Sequence, residues 1–314
     1  MLTPLLPAAL QQHVEDDLVT DILINHETEV WVERHGTLAR VEDLVPGAID
    51  RALERILTPL GRRLDRLSPM VDARLPDGTR LCAVIAPIAT EGTCAAFRIF
   101  RSRTFHLSDF FADPNDPTLA QVVSDINHSK ANVLITGATG SGKTSLVAAL
   151  ITMAHHERVI ILEDTREITI DHDHAVCLEA RPATAEGRGA VSLDDLLRTA
   201  LRLRPDRMVL GEVRGPEALT LLQALSTGHQ RCLATIHANS ASEGLNRLEI
   251  LALQGLSGWN LSDVRSMAES AVGYVIHMVR GPNGHRIIDH IGQVVSGSSA
   301  NTQESHRLHS VFSS

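Results

Sequence analysis

The spacing of hydrophobic residues differs between the two ends of this chain. Before residue 106, short apolar runs alternate with polar positions, as in Glu29–Arg34, and this period of two predicts half-buried strands. After residue 117, continuous apolar runs of five or six residues alternate with longer segments that are typical of helices. Alternating strands and helices predict a mainly parallel sheet with helices on its faces, so we expect two domains of different class.

The first part, residues 1–106, is expected to be a small α+β domain. Turn signals at His35-Gly36 and at Pro76-Asp77-Gly78 separate its strands. Helices are predicted over residues 5–23 and 46–60, and strands over 29–34, 37–41, 71–75, 80–85 and 95–100.

The second part, residues 107–295, is expected to be an α/β domain. A linker able to act as a hinge is predicted over residues 101–117, which end in the run Asp113-Pro114-Asn115-Asp116-Pro117. The last residues, 296–314, are rich in serine and predict a frayed polar tail. Helices are predicted over 117–128, 144–155, 192–203, 215–226 and 240–253, and strands over 132–136, 158–163, 174–179, 206–211 and 231–236.

One segment of the second part carries a specific motif for phosphate binding. It fits the pattern G-x-x-x-x-G-K-[ST] and lies between a predicted strand and a predicted helix, which is the context that this motif requires. Backbone N–H groups at the start of that helix would surround the phosphates, with the lysine at the β/γ-phosphates and the threonine on Mg²⁺. The residues are Gly137, Ala138, Thr139, Gly140, Ser141, Gly142, Lys143 and Thr144, followed by Ser145.

Two acidic residues follow apolar strands farther along the chain. Glu163 comes after Val159–Leu162, and Glu212 comes after Met208–Leu210 and a glycine. Ligands of parallel sheets collect at the carboxyl ends of the strands, so both acids are candidates for phosphoryl chemistry. Glu163 could polarise the attacking water as a general base, and Glu212 could bind Mg²⁺ through water or orient the nucleophile.

Two histidines, His229 and His237, bracket the predicted strand 231–236. A separation of eight residues is not a metal-ligand spacing, so the pattern does not predict a metal site. His237, at the carboxyl end of the strand, could sense the terminal phosphate or donate a hydrogen bond to it.

The composition indicates which cellular compartment and which kinds of partner fit this chain. A net charge of −9 disfavours a protein that grips nucleic acid through bulk charge. The four cysteines lack C-x-x-C spacing, which indicates free thiols in a reducing compartment rather than a zinc site. The sequence has no apolar run of 18 residues and no basic segment before its apolar start. A cytoplasmic protein is therefore expected.

Four blocks occur in the order found in the secretion ATPase superfamily: GATGSGKT, ILEDTRE, RPDRMVLGEVRG and STGHQRCLATIHANS. They resemble its Walker A, Asp box, Walker B and His box. Residues 178–215, residues 71–81 and the strand that contains Arg98 most resemble the Tad/Flp pilus assembly ATPases. The resemblance covers roughly residues 15–295. One departure is Ser145, where many relatives have a second threonine.

The resemblance implies a RecA-like P-loop NTPase domain that binds ATP and Mg²⁺ and works as a homo-hexamer. ATP hydrolysis would move an inner-membrane platform protein of a pilus or secretion machine. The chain would be cytoplasmic and would associate peripherally with the inner membrane through its partners. No direct contact with nucleic acid is expected.

The resemblance also assigns roles to single residues. Glu163 is the candidate catalytic acid, Glu212 the Walker B acid, and His229 and His237 would link the nucleotide state to conformation. Arginines of the N-terminal domain or of a neighbouring subunit would reach the γ-phosphate. The candidates are Arg98, then Arg101 or Arg103, with Arg204 and Arg214 as further arginines.

Four alternatives remain open. The same enzyme could serve a conjugative transfer or type IV secretion system. A non-hydrolysing, ATP-gated assembly protein could lose Glu163, Glu212 and His237. Their presence in this chain argues against that alternative. A RecA-like DNA motor is disfavoured by the acidic charge and by the lack of a basic, aromatic strip. A small-molecule kinase would need a lid or an acceptor site, and none is evident.

Overall fold

The computed structural model describes residues 2–34, 36–41, 43–99, 105–183, 188–255, 260–281, 284–295 and 308–313. The chain divides into two compact units, Met1–Arg103 and Thr104–Ser314. No helix among the described residues is long and apolar enough to cross a membrane.

The first unit contains an antiparallel sheet of six strands in the order β3-β2-β1-β6-β5-β4. One face of this sheet and two helices enclose a core that includes Ile22, Val32, Leu53 and Phe97. The elements are α1 (Ala8–Glu15), β1 (Val19–Asn25), β2 (Glu29–Arg34), β3 (Thr37–Arg40), α2 (Ala48–Leu57), β4 (Met70–Arg74), β5 (Arg80–Val84) and β6 (Cys94–Arg98), with 3₁₀ turns at Thr3–Leu5 and Thr58–Leu60.

The predicted helix over residues 5–23 is wrong in its second half. Helix α1 ends at Glu15, and residues 19–25 form strand β1 between β2 and β6. The Asp16 carboxylate accepts a hydrogen bond from the backbone N–H of Leu18 and pairs with Arg34, which fixes the turn between helix and strand. Pairing on both edges of β1 thus overrides the helical spacing of this segment.

The second unit contains an eight-stranded sheet in the order β14-β13-β12-β7-β11-β10-β8-β9. The six strands from β12 to β9 in this order pair in parallel, and the two remaining strands pair antiparallel beside β12. The expected mainly parallel α/β sheet is confirmed. The strands are β7 (Val133–Gly137), β8 (Val159–Glu163), β9 (Ala175–Glu179), β10 (Arg207–Leu210), β11 (Leu233–His237), β12 (Tyr274–Arg280), β13 (Arg286–Val294) and β14 (Leu308–Ser313).

Helices cover both faces of this sheet, so its central strands are apolar on both sides. Leu134 of β7 packs into the cluster on one face, and its neighbour Ile135 packs into the cluster on the other. Helices α5 to α8 contribute to the first cluster, and helices α3 and α4 contribute to the second. The helices are α3 (Pro117–His128), α4 (Lys143–Thr152), α5 (Leu193–Ala200), α6 (Glu217–Ser226), α7 (Ala241–Gln254) and α8 (Leu261–Ala271).

The predicted hinge over residues 101–117 is wrong for the described residues of that segment. Residues 107–110 form a 3₁₀ turn, and the Phe110 and Phe111 side chains are buried in the core of the second unit. Asp116 caps α3 by accepting hydrogen bonds from the N–H groups of Thr118 and Leu119. Residues 101–104 lie outside the described residues.

The predicted polar tail is wrong in part. Leu308–Ser313 forms β14, which pairs antiparallel with β13 at the edge of the sheet. Residues 296–307 and 314 lie outside the described part of the chain. Helix α8 and strands β12 and β13 were also absent from the sequence-based assignment, although each is well formed.

Candidate nucleotide-binding site

The phosphate-binding motif forms the connection between β7 and α4. Gly137 ends the strand with φ 150°, and Gly142 precedes the helix with φ 98°. A Cβ atom on Gly137 would lie 2.5 Å from both the Met278 carbonyl oxygen and Ser141 Oγ, so only glycine fits there. The N–H groups of the first turn of α4 have no intrahelical partners, and together with the helix dipole they favour an anion.

The loop fits a phosphate ligand in a further respect. The Ser141 side chain is buried, and its hydroxyl has no hydrogen-bond partner among the described residues. A buried hydroxyl without a partner is costly unless a ligand or water binds it. A phosphate oxygen held in the loop would satisfy this group.

Lys143 is held at the mouth of this loop. Its Nζ donates hydrogen bonds of 2.9 Å to the carbonyl oxygens of Gly137 and Ala138, and it lies 3.5 Å from His237 Nδ1. Burial lowers the pKa of Lys143, while the nearby carboxylates of Glu212 and Glu167 act in the opposite direction. The two carbonyl oxygens offer Lys143 only partial negative charges. A bound phosphate would offer it a full negative charge.

Glu212 and His237 lie together beside this lysine. They follow β10 and end β11, which are neighbours in the sheet, and Glu212 Oε1 lies 2.7 Å from His237 Nε2. Glu212 Oε2 also accepts a 2.5 Å hydrogen bond from Arg214. Burial and then the positive charge of Lys143 lower the pKa of His237, against the effect of Glu212. The site therefore favours a neutral imidazole.

Glu163 lies at the end of β8, beside β10, and is 3% exposed. Its Oε1 accepts hydrogen bonds of 2.8 and 3.0 Å from the N–H groups of Glu167 and Ile168. A Cβ atom on Gly211 would lie 2.7 Å from Glu163 Cγ, so this glycine gives the acid room at the edge of the sheet. The carboxylate is thus fixed by the backbone that follows it.

Glu167 is a functional candidate that the sequence analysis missed. The Thr144 hydroxyl donates a 3.4 Å hydrogen bond to Glu167 Oε2, so this acid faces the residue expected to bind Mg²⁺. Glu167 is the last residue of the ILEDTRE block, so the sequence did contain it. The sequence pattern favoured Glu163 because that acid directly follows the apolar strand. Threonine hydroxyls and carboxylates are hard oxygen ligands that suit Mg²⁺, so Thr144, Glu167 and Glu212 fit this ion, directly or through water.

His229 is not brought to this site in its own chain. It lies between α6 and β11, whereas the phosphate loop lies beyond the opposite end of β11. Its Nδ1 is 3.2 Å from the Ala224 carbonyl oxygen at the end of α6. Any link between His229 and the nucleotide would have to pass through β11 or through another subunit.

The candidate arginines have different positions. Arg214 contacts Glu212, and the exposed Arg204 precedes β10 at the edge of the sheet opposite the phosphate loop. Arg98 ends β6 in the first unit, where it is exposed and opposite Asp21 and Arg80 in the sheet. Arg101 and Arg103 lie outside the described residues.

Two other arginines, missed in the sequence, do reach the phosphate loop. Arg286 Nη1 donates a 3.1 Å hydrogen bond to Ser145 Oγ, and the Arg280 guanidinium lies near Gly140. Both belong to strands β12 and β13, which the sequence analysis did not assign, so nothing in the local sequence placed them there.

The fold and this site define a RecA-like P-loop protein of the α/β class. A family model described as type II/IV secretion system protein matches residues 7–307. The chain therefore belongs to the type II/IV secretion system protein family, as its four blocks predicted.

Individual relatives agree with this assignment. A Mycobacterium tuberculosis protein that carries a conjugal-transfer name is 38% identical over 296 residues, covering 91% of this chain and 81% of that protein. The conjugal transfer protein TrbB of Rhizobium radiobacter is 31% identical over 303 residues, with 91% of each chain covered. The type IV secretion system protein PtlH of Bordetella pertussis is 32% identical, with 83% and 86% covered.

Solved structures share the fold. The pilus retraction motor PilT with bound ADP superposes with a TM-score of 0.70 at 20% identity, covering 94% of this chain and 84% of that one. The ATPase DotB of Legionella pneumophila gives a TM-score of 0.64 at 21% identity, covering 92% and 80%.

Proposed function

We propose that this chain binds Mg-ATP at the phosphate loop and hydrolyses it to ADP and phosphate. The observation that carries the proposal is the contact between Glu212, His237 and Lys143 directly beside the loop. Phosphoryl transfer depends on positioning and charge, and this cluster supplies a cation, an acid and a hydrogen-bonding group at one point.

Each residue has a defined task in the proposed reaction. Loop N–H groups and Lys143 bind the phosphates and balance the charge that develops on the terminal one. Glu163, fixed by the N–H groups of Glu167 and Ile168, accepts the proton of the attacking water. Mg²⁺, held by Thr144 with Glu167 and Glu212 around it, would neutralise charge on the β- and γ-phosphate oxygens.

His237 connects the lysine to the acid. A neutral imidazole lies with Nε2 2.7 Å from Glu212 Oε1 and presents the Nδ1 lone pair to Lys143 at 3.5 Å. When Lys143 turns from the loop carbonyls to a phosphate, His237 loses one partner and its contact with Glu212 can change, while Arg214 still holds the other oxygen of that carboxylate. This exchange is the step by which nucleotide binding changes the site.

We further propose that the working form is a homo-hexameric motor on the cytoplasmic side of the inner membrane, where ATP is available. It would act on a membrane-embedded platform protein and be peripheral to the membrane through that partner. Arg98, with Arg101 or Arg103, would reach the γ-phosphate from the N-terminal domain or a neighbouring subunit. Membership of the secretion family supports this arrangement.

Two kinds of machine are candidates for that motor. The blocks at residues 71–81 and 178–215 favour Tad/Flp pilus assembly. The relatives TrbB and PtlH carry conjugal transfer and type IV secretion names, and they support a conjugative or type IV secretion machine equally well. Deletion of the gene in its host, scored for pili and for plasmid transfer, separates the two.

The proposed function is tested by the rate of phosphate release from Mg-ATP as protein concentration rises, with light scattering on the same samples. A rate per subunit that increases as a species of about six subunits forms supports a ring motor with shared sites. Full activity from a monomer would remove the intersubunit role of Arg98. ATP binding without phosphate release would identify a non-hydrolysing assembly protein instead.

A further inference from the structure

The two flanks of the phosphate loop differ in charge. On the side of β11, β10 and β8 lie His237 and the acids Glu212 and Glu163. On the side of β12 and β13 lie two arginines, Arg280 at the end of β12 and Arg286 at the start of β13. All these positions are at the same edge of the sheet, because Gly137 is aligned with His237 on one side and with Met278 on the other.

Arg280 and Arg286 are directly opposite each other in the antiparallel pair of β12 and β13. Side chains of opposed residues share one face of a sheet, and like charges in that relationship destabilise the pair. The fold therefore brings two guanidinium groups together at this point, beside the phosphate loop. An anion between the two guanidinium groups would remove the repulsion.

Both side chains are directed at the loop. The stem of Arg286 covers Gly142 so closely that a Cβ atom there would lie 2.7 Å from Arg286 Cδ. Its guanidinium donates to Ser145 Oγ at 3.1 Å and lies 5.8 Å from the centroid of the Phe105 ring. The ring and the hydroxyl together hold the guanidinium in place. Arg280 Nη2 lies 4.0 Å from the position that a Cβ atom on Gly140 would take.

The direction of the bound phosphate chain follows from these positions. Lys143 approaches His237 and Thr144 faces Glu167, so the terminal phosphate and Mg²⁺ belong on the acidic flank. Ser145 marks the other end of the cradle, where Arg286 binds. The phosphates nearer the nucleoside therefore belong on the flank of the arginines.

We propose that Arg280 and Arg286 form a phosphate clamp, contributed by the same subunit, for the inner phosphates of the nucleotide. The clamp rests on the proposed function and adds to it, since it binds ADP as well as ATP. It differs from the arginines expected from the N-terminal domain or a neighbour, which would contact the γ-phosphate alone. Release of ADP from this chain then requires the contacts between the two arginines and the inner phosphates to break.

The test is a titration of the full chain with Mg-ADP and with Mg-ATP, followed by calorimetry. We expect Arg280→Gln and Arg286→Gln each to weaken binding of both nucleotides by a similar factor, about tenfold. Arg286→Lys should restore only part of the affinity, because it keeps the charge but loses the planar fork. Arg202→Gln, at an exposed position beyond α5, is the matched control and should bind as the unaltered chain does.

The outcomes that overturn the clamp are distinct from those that overturn the ATPase. Unchanged ADP affinity in Arg280→Gln, or a loss confined to ATP, rejects the clamp while leaving the ATPase intact. Failure of the unaltered chain to bind either nucleotide rejects both. Arg280 is exposed, so Arg280→Gln should fold. If Arg286→Gln fails to fold, the ADP affinity of Arg280→Gln alone decides whether the clamp exists.

Discussion

Glu212 Oε1 lies 2.7 Å from His237 Nε2, which joins the carboxyl ends of two neighbouring strands, β10 and β11. Because the other nitrogen of His237 is 3.5 Å from Lys143 Nζ, the acid, the imidazole and the amine form one chain of contacts. A change at the phosphate loop therefore reaches Glu212 through a single side chain.

Lys143→Ala should lower the rate of ATP hydrolysis by at least about a hundredfold, because it removes a cation aimed at the charge of the transition state. The measurement is phosphate release at saturating Mg-ATP. Lys130→Ala serves as the control, since Lys130 is exposed and precedes β7 at the opposite edge of the sheet. Hydrolysis at the normal rate by Lys143→Ala would disprove the assigned site.

Glu212→Gln should retain ATP binding and slow hydrolysis by about a hundredfold or more, because the amide keeps the shape but not the charge or basicity of the carboxylate. Calorimetric titration with Mg-ATP, together with single-turnover hydrolysis, separates binding from chemistry. Loss of binding in this variant would show that Glu212 is essential for holding the metal or the fold, rather than for the chemical step. Glu54→Gln, at an exposed position on α2, is a matched acid-to-amide control.

Mixed rings should reveal whether Arg98 acts across a subunit boundary. Arg98→Ala and Lys143→Ala subunits are each expected to be inactive alone, and mixing them should restore part of the activity because some interfaces carry both intact residues. Lys143→Ala mixed with Glu212→Gln provides the control, since these residues meet within one chain and no intact site can form. Absence of rescue at every ratio would place the action of Arg98 within one subunit.

His277 should make the stability of the second unit depend on pH. Burial lowers its pKa from the ordinary 6.5, and its Nδ1 is 2.8 Å from the Thr136 hydroxyl, in the strand that leads into the phosphate loop. Asp289 and Glu243 act against burial, whereas His290 and Lys143 act with it. The unfolded chain therefore binds a proton at His277 at a higher pH than the folded chain does.

The free energy of unfolding should consequently rise with pH up to about 6.5 and then level off as far as this group is concerned. His277→Gln cannot titrate and still offers an amide to Thr136, so it should flatten that slope. Urea denaturation between pH 5 and 8 provides the measurement, with His309→Gln, an exposed position on β14, as the control. An unchanged slope in His277→Gln would assign the pH dependence to another group.

The sequence by itself determined the phosphate loop, the strands that deliver Glu163, Glu212 and His237, and the α/β class of the second part. These features follow from local patterns, because an apolar run followed by an acid or by glycines already specifies a buried strand with a polar end. The family also followed from the order of the four blocks, and the match over residues 7–307 confirms it.

Other features were decided only by the tertiary structure. Residues 19–25 form a strand because they pair with a neighbouring strand on each edge. The segment expected to be a hinge packs into the core of the second unit because Phe110 and Phe111 are buried there. Helical and extended states differ little in intrinsic preference over such short segments, so distant partners make the choice.

The arginines beside the loop and the place of His229 were likewise fixed by topology. Arg280 and Arg286 are far from Gly137 in sequence, and they reach the loop because β12 adds beside β7 in parallel. His229 is only eight residues from His237, yet β11 lies between it and the loop. The strand order decides which residues that are far apart in the sequence become neighbours in space. No local sequence pattern encodes that order.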